Sequence, residues 1–297
     1  MRRVNVPERF LNALPWRAGE HWDVVVVGLP FAGGSLSGSR SSLGPGMLRS
    51  VSRIISPRPL AEKAEGWWDY RGQHLLCEGL RIGDAGDLTV DPLHAAADLE
   101  RLPDVLAALR ATCSLLVVLG GDDSLSYWIH RGFEGVLVHV DAHEDGHPVR
   151  EGAGPHHADF ISHLERHSAP YIVQYGMRGM VQGRPQLPGE RRTIAVDLRQ
   201  LDALLVAAPT TDCAVSLDVD VLEPELMRSV TAPVPDGMTT EAVLEAVRAV
   251  ATSGRRVRQF SVMEFAPHPD SGRADAMRLI HLVLRSLDMW HGGDDRG

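Results

Sequence analysis

Asp141, His143 and Asp145 alternate in the stretch DAHED, directly after the apolar run GVLVHV. Alternate residues of an extended chain point the same way, so the three side chains share one side of a strand end. SLDVD repeats the device with Asp218 and Asp220 after another apolar run. GGDD places Asp122 and Asp123 after a third, and VME places Glu264 at the end of a fourth. An isolated strand-end aspartate often forms a turn or caps a helix. Four acidic clusters at equivalent strand ends are a different matter. Gathered together, so many carboxylates cannot all stay ionised cheaply without a counter-charge. A divalent cation answers this, and two cations sharing bridging carboxylates answer it better. Carboxylate and imidazole donors without thiolate suit Mn²⁺ or another hard or borderline ion and argue against a structural zinc site.

The elements that must bring these ends together are legible as valine-rich runs. They cover residues 23–29, 78–84, 114–120, 135–141, 170–176, 191–197, 213–220 and 257–264. The runs are nearly continuous rather than alternating, as in strands covered on both faces. Helical patterns fall between them, at 91–111, 157–167, 239–254 and 271–290. The 239–254 segment opens on a threonine, carries Glu241 early and ends at a glycine, which is good capping chemistry. The alternation predicts an α/β fold with a mainly parallel sheet of about eight strands and helices on both faces. A closed β/α barrel is the rival. In both, ligands sit beyond the carboxyl ends of the strands.

The 297 residues are read as one domain, 1–297, with 1–20 as an N-terminal extension. A formal charge of −9 disfavours nucleic acid or an anionic membrane as partner. No apolar run reaches the length of a membrane span, and the charged start is not followed by the apolar stretch of a signal peptide. Cys77, Cys113 and Cys213 are scattered, with no CxxC. They fit a reducing compartment, so a cytoplasmic location is expected. GLPFAGGSLSGS is glycine-rich but has no GxGxxG placed to open a helix, which argues against a dinucleotide site.

Together GGDDS, DAHED, SLDVDVLEP and MEFAP resemble the motifs of the ureohydrolase family, the arginases and agmatinases. Those motifs are GGDHS, DAHxD, SxDxDxxDP and a late glutamate near a proline. SRSSLGPGMLR and YGMRGM resemble further stretches of the agmatinase side, so the resemblance spans most of the chain. It implies a three-layer αβα sandwich, two Mn²⁺ ions, and hydrolysis of a guanidino group to urea and an amine. Asp141 and Asp218 would bridge the ions. Asp123 and Asp145 would bind the first, and His143 and Asp220 the second. Glu264 would face the guanidinium. Asp145 and His156 would move protons, His156 or its neighbour His157 taking the place of the family's HGT histidine. Family members form trimers or hexamers, so a homo-oligomer is implied.

Departures from the pattern set further expectations. Asp123 stands where the family has histidine, so a single ion or another divalent ion is the alternative. Glu223 replaces an aspartate before Pro224, and the loop after it lacks the family's glycine-rich form. GMRGM does not supply the acidic residues with which arginases read an α-amino group, so free arginine is expected to be a poor substrate. A small or natural-product-like guanidine is expected instead. The alternatives are another amidine or an N-hydroxyguanidine, or a silent binding protein that retains the fold.

Overall fold

The computed structural model describes residues 1–4, 6, 8–35, 38–167, 170–180 and 189–291. Eight parallel strands form the body of one open sheet. In spatial order they are Ile82–Thr89, Trp22–Gly28, Cys113–Leu119, Arg256–Met263, Asp212–Asp218, Val136–Val140, Tyr171–Tyr175 and Arg192–Ala195. Arg2–Val4 adds an antiparallel edge beside Ile82–Thr89, and the short Leu14–Pro15 also pairs there. Distinct edges mean an open sheet, which sets aside the barrel.

Alternate residues of the central strands go to opposite layers. Val24 and Val26 join one apolar cluster, Val25 and Val27 the other; Leu115, Val117 and Leu119 part in the same way from Leu116 and Val118. The helices Gly44–Ser52, Leu198–Ala207, Thr240–Thr252 and Gly272–His291 cover the first face through Leu48, Leu201, Val243 and Leu279. Leu102–Arg110, Ser124–His130 and Phe160–Arg166 cover the second through Leu106, Leu125 and Ile161. The result is the expected three-layer αβα sandwich. Each fully buried Val or Leu contributes roughly 1.5–3 kcal/mol against exposure, so these two seams hold the sheet between its helices.

Some boundaries differ from the sequence reading. The strand expected at 78–84 runs from Ile82 to Thr89, because Gly79 takes a positive φ of 79° in a turn before it. The helical pattern at 91–111 breaks into Pro92–His94, Ala95–Glu100 and Leu102–Arg110, with Pro103 opening the last piece. Of the N-terminal stretch, Arg2–Val4 and Leu14–Pro15 pair with the strand Ile82–Thr89, and Phe10 and Leu11 are buried in the core. Among the described residues, no helix is long and apolar enough to cross a membrane.

Candidate metal centre

The four acidic clusters sit on four adjacent central strands: Cys113–Leu119, Arg256–Met263, Asp212–Asp218 and Val136–Val140. Parallel pairing brings all four carboxyl ends to one edge of the sheet. The two glycines before Asp122 give room to different neighbours: Gly121 to the loop after Trp22–Gly28, Gly120 to the end of the strand Arg256–Met263. A Cβ on Gly121 would lie 1.7 Å from the carbonyl oxygen of Phe31, and one on Gly120 2.2 Å from the sulfur of Met263.

The adjacent aspartates divide their work. Asp122 ties down the overlying loop: its Oδ2 accepts the Gly34 N–H at 2.8 Å, and its Oδ1 accepts the Ser124 hydroxyl. Asp123 takes no backbone N–H of the helix it precedes, so it is not a cap. Ser126 donates to its Oδ1, and its buried Oδ2 has no hydrogen-bond partner.

Donor atoms of Asp123, His139, Asp141 and Asp145 lie within 4.8 Å of one another, as do those of Asp141, His143 and Asp220. Asp141 belongs to both groups. Asp218 lies outside both; its Oδ1 accepts the Asp220 N–H at 2.8 Å and shapes the turn that carries Asp220. It still lines a cavity of about 70 Å³ together with Asp123, His143, Asp145, His157, Asp220, Thr231 and Glu264. Glu264 Oε1 accepts the Asp123 N–H at 2.8 Å. Asp145 and Glu264 both hold left-handed backbone, at φ 45° and 58°. Non-glycine residues rarely adopt it, and where they do the surroundings hold them there.

His156 and His157 part company. His156 Nε2 lies 2.9 Å from Asp159, whose Oδ1 also accepts the His156 N–H. His157 lines the cavity, with its Nδ1 3.9 Å from Glu264. Burial, then His156, lowers the pKa of His157 and favours its neutral ring.

The electrostatics are those of a site made for cations. Burial, then Asp141, pushes Asp123 up to about 7. Burial, then Asp141, pushes Asp220 up to about 6. Asp145, Asp218 and Glu264 are also raised, first by burial and then by neighbouring carboxylates. Burial would raise Asp141 too, but His139 and then His143 reverse this and hold it low. His143, hydrogen-bonded to Asp141 and Asp220, rises to about 10. Among the described residues, the basic side chains within ion-pair distance of these acids are the imidazoles of His139, His143 and His157. Asp123 Oδ2 is buried without a hydrogen-bond partner, whereas Asp141 Oδ2 and His139 Nε2 face each other at 2.9 Å. Hard oxygens, imidazole and an orphaned buried oxygen fit a divalent-metal site.

His139 was not among the expected site residues. Its signal was present, a histidine two places before Asp141, but within a valine run it reads as core. Arg178, from YGMRGM, braces the centre from outside: it donates to the carbonyls of Val221, Asp220, Val234 and Pro235, at 3.0, 2.9, 2.8 and 3.0 Å. The turn bearing Asp220 is thereby fixed to the loop beyond it. Glu223 accepts the Gly237 N–H and holds the base of that loop.

The arginase family model matches residues 22–288. The chain belongs to the arginase family. It is 27% identical to proclavaminate amidinohydrolase from Streptomyces clavuligerus over 270 residues, covering 84% of this chain and 82% of that protein. It is 26% identical to an agmatinase from Photorhabdus laumondii over 294 residues, covering 93% and 89%. A crystal structure described as a hypothetical agmatinase from Burkholderia thailandensis superposes with a TM-score of 0.79 at 20% identity, covering 99% of this chain and 94% of that one. That likeness confirms the ureohydrolase sandwich. With Asp123 in place of the usual histidine, the cluster resembles the agmatinase-type members.

Proposed function

We propose that this arginase-family chain is a metal-dependent amidinohydrolase that cleaves a guanidino group to urea and an amine. The observation that carries the reading is the convergence of Asp123, Asp141, His143, Asp145, Asp218, Asp220 and Glu264 on one edge of the sheet, with a partnerless buried oxygen on Asp123. Asp123, Asp141 and Asp145 would hold one cation, and Asp141, His143 and Asp220 the other, with Asp218 on the wall beside them. Two divalent ions, Mn²⁺ on family precedent, would supply an activated water. Glu264 then binds the guanidinium by charge-assisted hydrogen bonds and presents its central carbon. Asp145 is placed to receive a proton from the attacking water and pass it towards the leaving amine. His157, rather than His156, is placed to protonate or deprotonate a group leaving past Glu264.

A groove of about 560 Å³ adjoins the small cavity and shares His143, Asp145 and Ala158 with it. Its walls include Met177, Met180, Ile194, Pro233 and Val234, with Glu144 and His147 at the side. Apolar walls favour a substrate whose far end is apolar or neutral over one ending in an α-amino acid.

The test is a urea assay on Mn²⁺-loaded protein, with metal content measured alongside. The panel contains agmatine, 4-guanidinobutyrate, arginine, N-hydroxyarginine and bulkier guanidines. Urea from a guanidine with an apolar or neutral tail, and little from arginine, is expected. Two bound ions with no urea from any member would defeat the guanidine-hydrolase reading in favour of a silent binding protein or a hydrolase of another amidine.

A further inference from the structure

His139 is wholly buried on Val136–Val140, two places before Asp141 and so on the same side of the strand. Its Nε2 stands 2.9 Å from Asp141 Oδ2, although the N–H is not aligned well enough to count as a regular hydrogen bond. Its Nδ1 stands 3.0 Å from Nε2 of Gln174. Two further bonds decide which way that amide faces. Gln174 Oε1 accepts from Arg192 Nε at 2.6 Å, and Gln174 Nε2 donates to the Glu144 carbonyl at 2.8 Å. Turning the amide over would set NH₂ against guanidinium and oxygen against oxygen. Arg192 is itself kept in place by carboxylates of Glu144 and Glu165, at 3.6 and 3.8 Å. Gln174 therefore donates to Nδ1, and a neutral imidazole with an accepting Nδ1 carries its proton on Nε2.

Two roles compete for this ring. Nε2 is close enough to Asp123, Asp141 and Asp145 to share a cation with them, which would restore the imidazole missing at position 123. Ligation needs the Nε2 lone pair, however, and hence the proton on Nδ1, where Gln174 presents N–H instead of oxygen. The hydrogen-bond chain excludes that tautomer. Resting on the metal-centre reading above, we infer that His139 is a positioning residue: Gln174 and Arg192 fix its tautomer, and its Nε2–H restrains Oδ2 of Asp141. The other oxygen, Oδ1, accepts the His143 backbone N–H at 2.7 Å and keeps its second lone pair for a cation. Partners that hold a metal-binding carboxylate in this way commonly set metal affinity by ~10–100-fold.

The experiment uses Mn²⁺ alone as probe, titrated into the full chain, with ¹⁴N electron-spin-echo modulation recorded at saturation. His139→Leu removes the N–H and is expected to weaken Mn²⁺ binding ~10–100-fold. His139→Gln places an amide N–H near the position of Nε2 and is expected to recover most of that loss. Both variants should keep the wild-type nitrogen modulation, because His143 supplies the coordinating imidazole. Loss of a nitrogen coupling in His139→Gln would make His139 a ligand and overturn the inference, as would wild-type affinity in His139→Leu. Should His139→Leu not fold, His139→Gln carries the test through affinity and modulation together. Failure of the wild-type chain to bind Mn²⁺ at all would instead strike the metal-centre reading on which this rests.

Discussion

Two buried acidic clusters in this molecule solve the same problem in opposite ways. Asp84 and Asp87 lie within the strand Ile82–Thr89, and Arg49 of the facing helix Gly44–Ser52 answers both. Arg49 is 1% exposed; it donates to Asp84 at 2.8 and 3.1 Å, to Asp87 at 2.5 Å and to the Gly86 carbonyl at 3.1 Å. Backbone N–H groups of Phe10 and Gly86 complete Asp84 at 2.8 Å each. Burial works against the guanidinium, but the two aspartates raise its pKa and keep it charged. Across the sheet, the strand-end carboxylates have no guanidinium; His143 answers Asp141 and Asp220, while Asp123 keeps an orphaned oxygen and several of the acids are raised by burial and by their neighbours. The first cluster carries enough counter-charge of its own. The second does not, which is what a cation-binding role would require.

Arg49→Met breaks the first half of that contrast. It leaves buried Asp84 and partly buried Asp87 without their cation, at an expected cost of about 3–5 kcal/mol carried mainly by Asp84. Denaturant unfolding would measure it, and Mn²⁺ bound per folded chain should not change. A loss well under this range would show that water or backbone, rather than Arg49, neutralises the pair.

The second half is sharpened by pH. Asp123 and Asp220 are pushed up to about 7 and about 6, mainly by burial, whereas unfolded carboxylates titrate near ~4. Such raised acids bind more protons when folded. Their contribution is complete below the unfolded value and is lost as pH rises through the folded one. His143, raised to about 10, has the same sign from its own ordinary value upwards. The metal-free chain should therefore lose stability between roughly pH 4 and 7. Mn²⁺ displaces those protons, so the stabilisation it confers should grow over the same window. At a hundredfold excess over Kd it would reach about 2.7 kcal/mol. Unfolding midpoints from pH 5 to 8, with Mn²⁺ and with chelator, measure the difference. A gain independent of pH would mean that the carboxylates are already ionised without metal.

The same contrast explains what could be read in the sequence. The valine runs are buried on both faces, so they announce parallel strands without help from distant residues. Ile82–Thr89 was placed too early because Asp84 and Asp87 interrupt its apolar pattern. Their partner, Arg49, is distant in sequence, and nothing local reveals the pairing. The strand-end acids were legible because each group follows its own apolar run, and in DAHED and SLDVD they alternate with the strand period. Which of two adjacent histidines faces the cavity depends on Asp159, which draws His156 away; adjacency alone carries no such information. His139 stayed hidden because its meaning lies in Gln174 and Arg192, brought beside it only by the pairing of neighbouring strands.

Asp123 gives the finest test of the difference between the two clusters, since it alone departs from the family's donor type. Its Oδ2 has no partner, and its Oδ1 is held by Ser126. As a hard oxygen it favours Mn²⁺ or Mg²⁺, whereas imidazole favours Zn²⁺ and Co²⁺. Asp123→His exchanges one donor for the other and removes a negative charge from a crowded set. The expected outcome is a shift in preference from Mn²⁺ towards Co²⁺ of about tenfold, or about 1.4 kcal/mol. Competition titrations of the two ions into metal-free protein would read it. The Arg49 cluster sits on Ile82–Thr89, separated from Cys113–Leu119 by the strand Trp22–Gly28, so unfolding of the metal-free chain should report only the changed charge at the central strand ends. An unchanged Co²⁺ to Mn²⁺ ratio would place the cation out of reach of position 123. The first ion would then rest on Asp141 and Asp145 alone, too few protein donors to hold it tightly, and a single-ion centre at Asp141, His143 and Asp220 would replace the binuclear one.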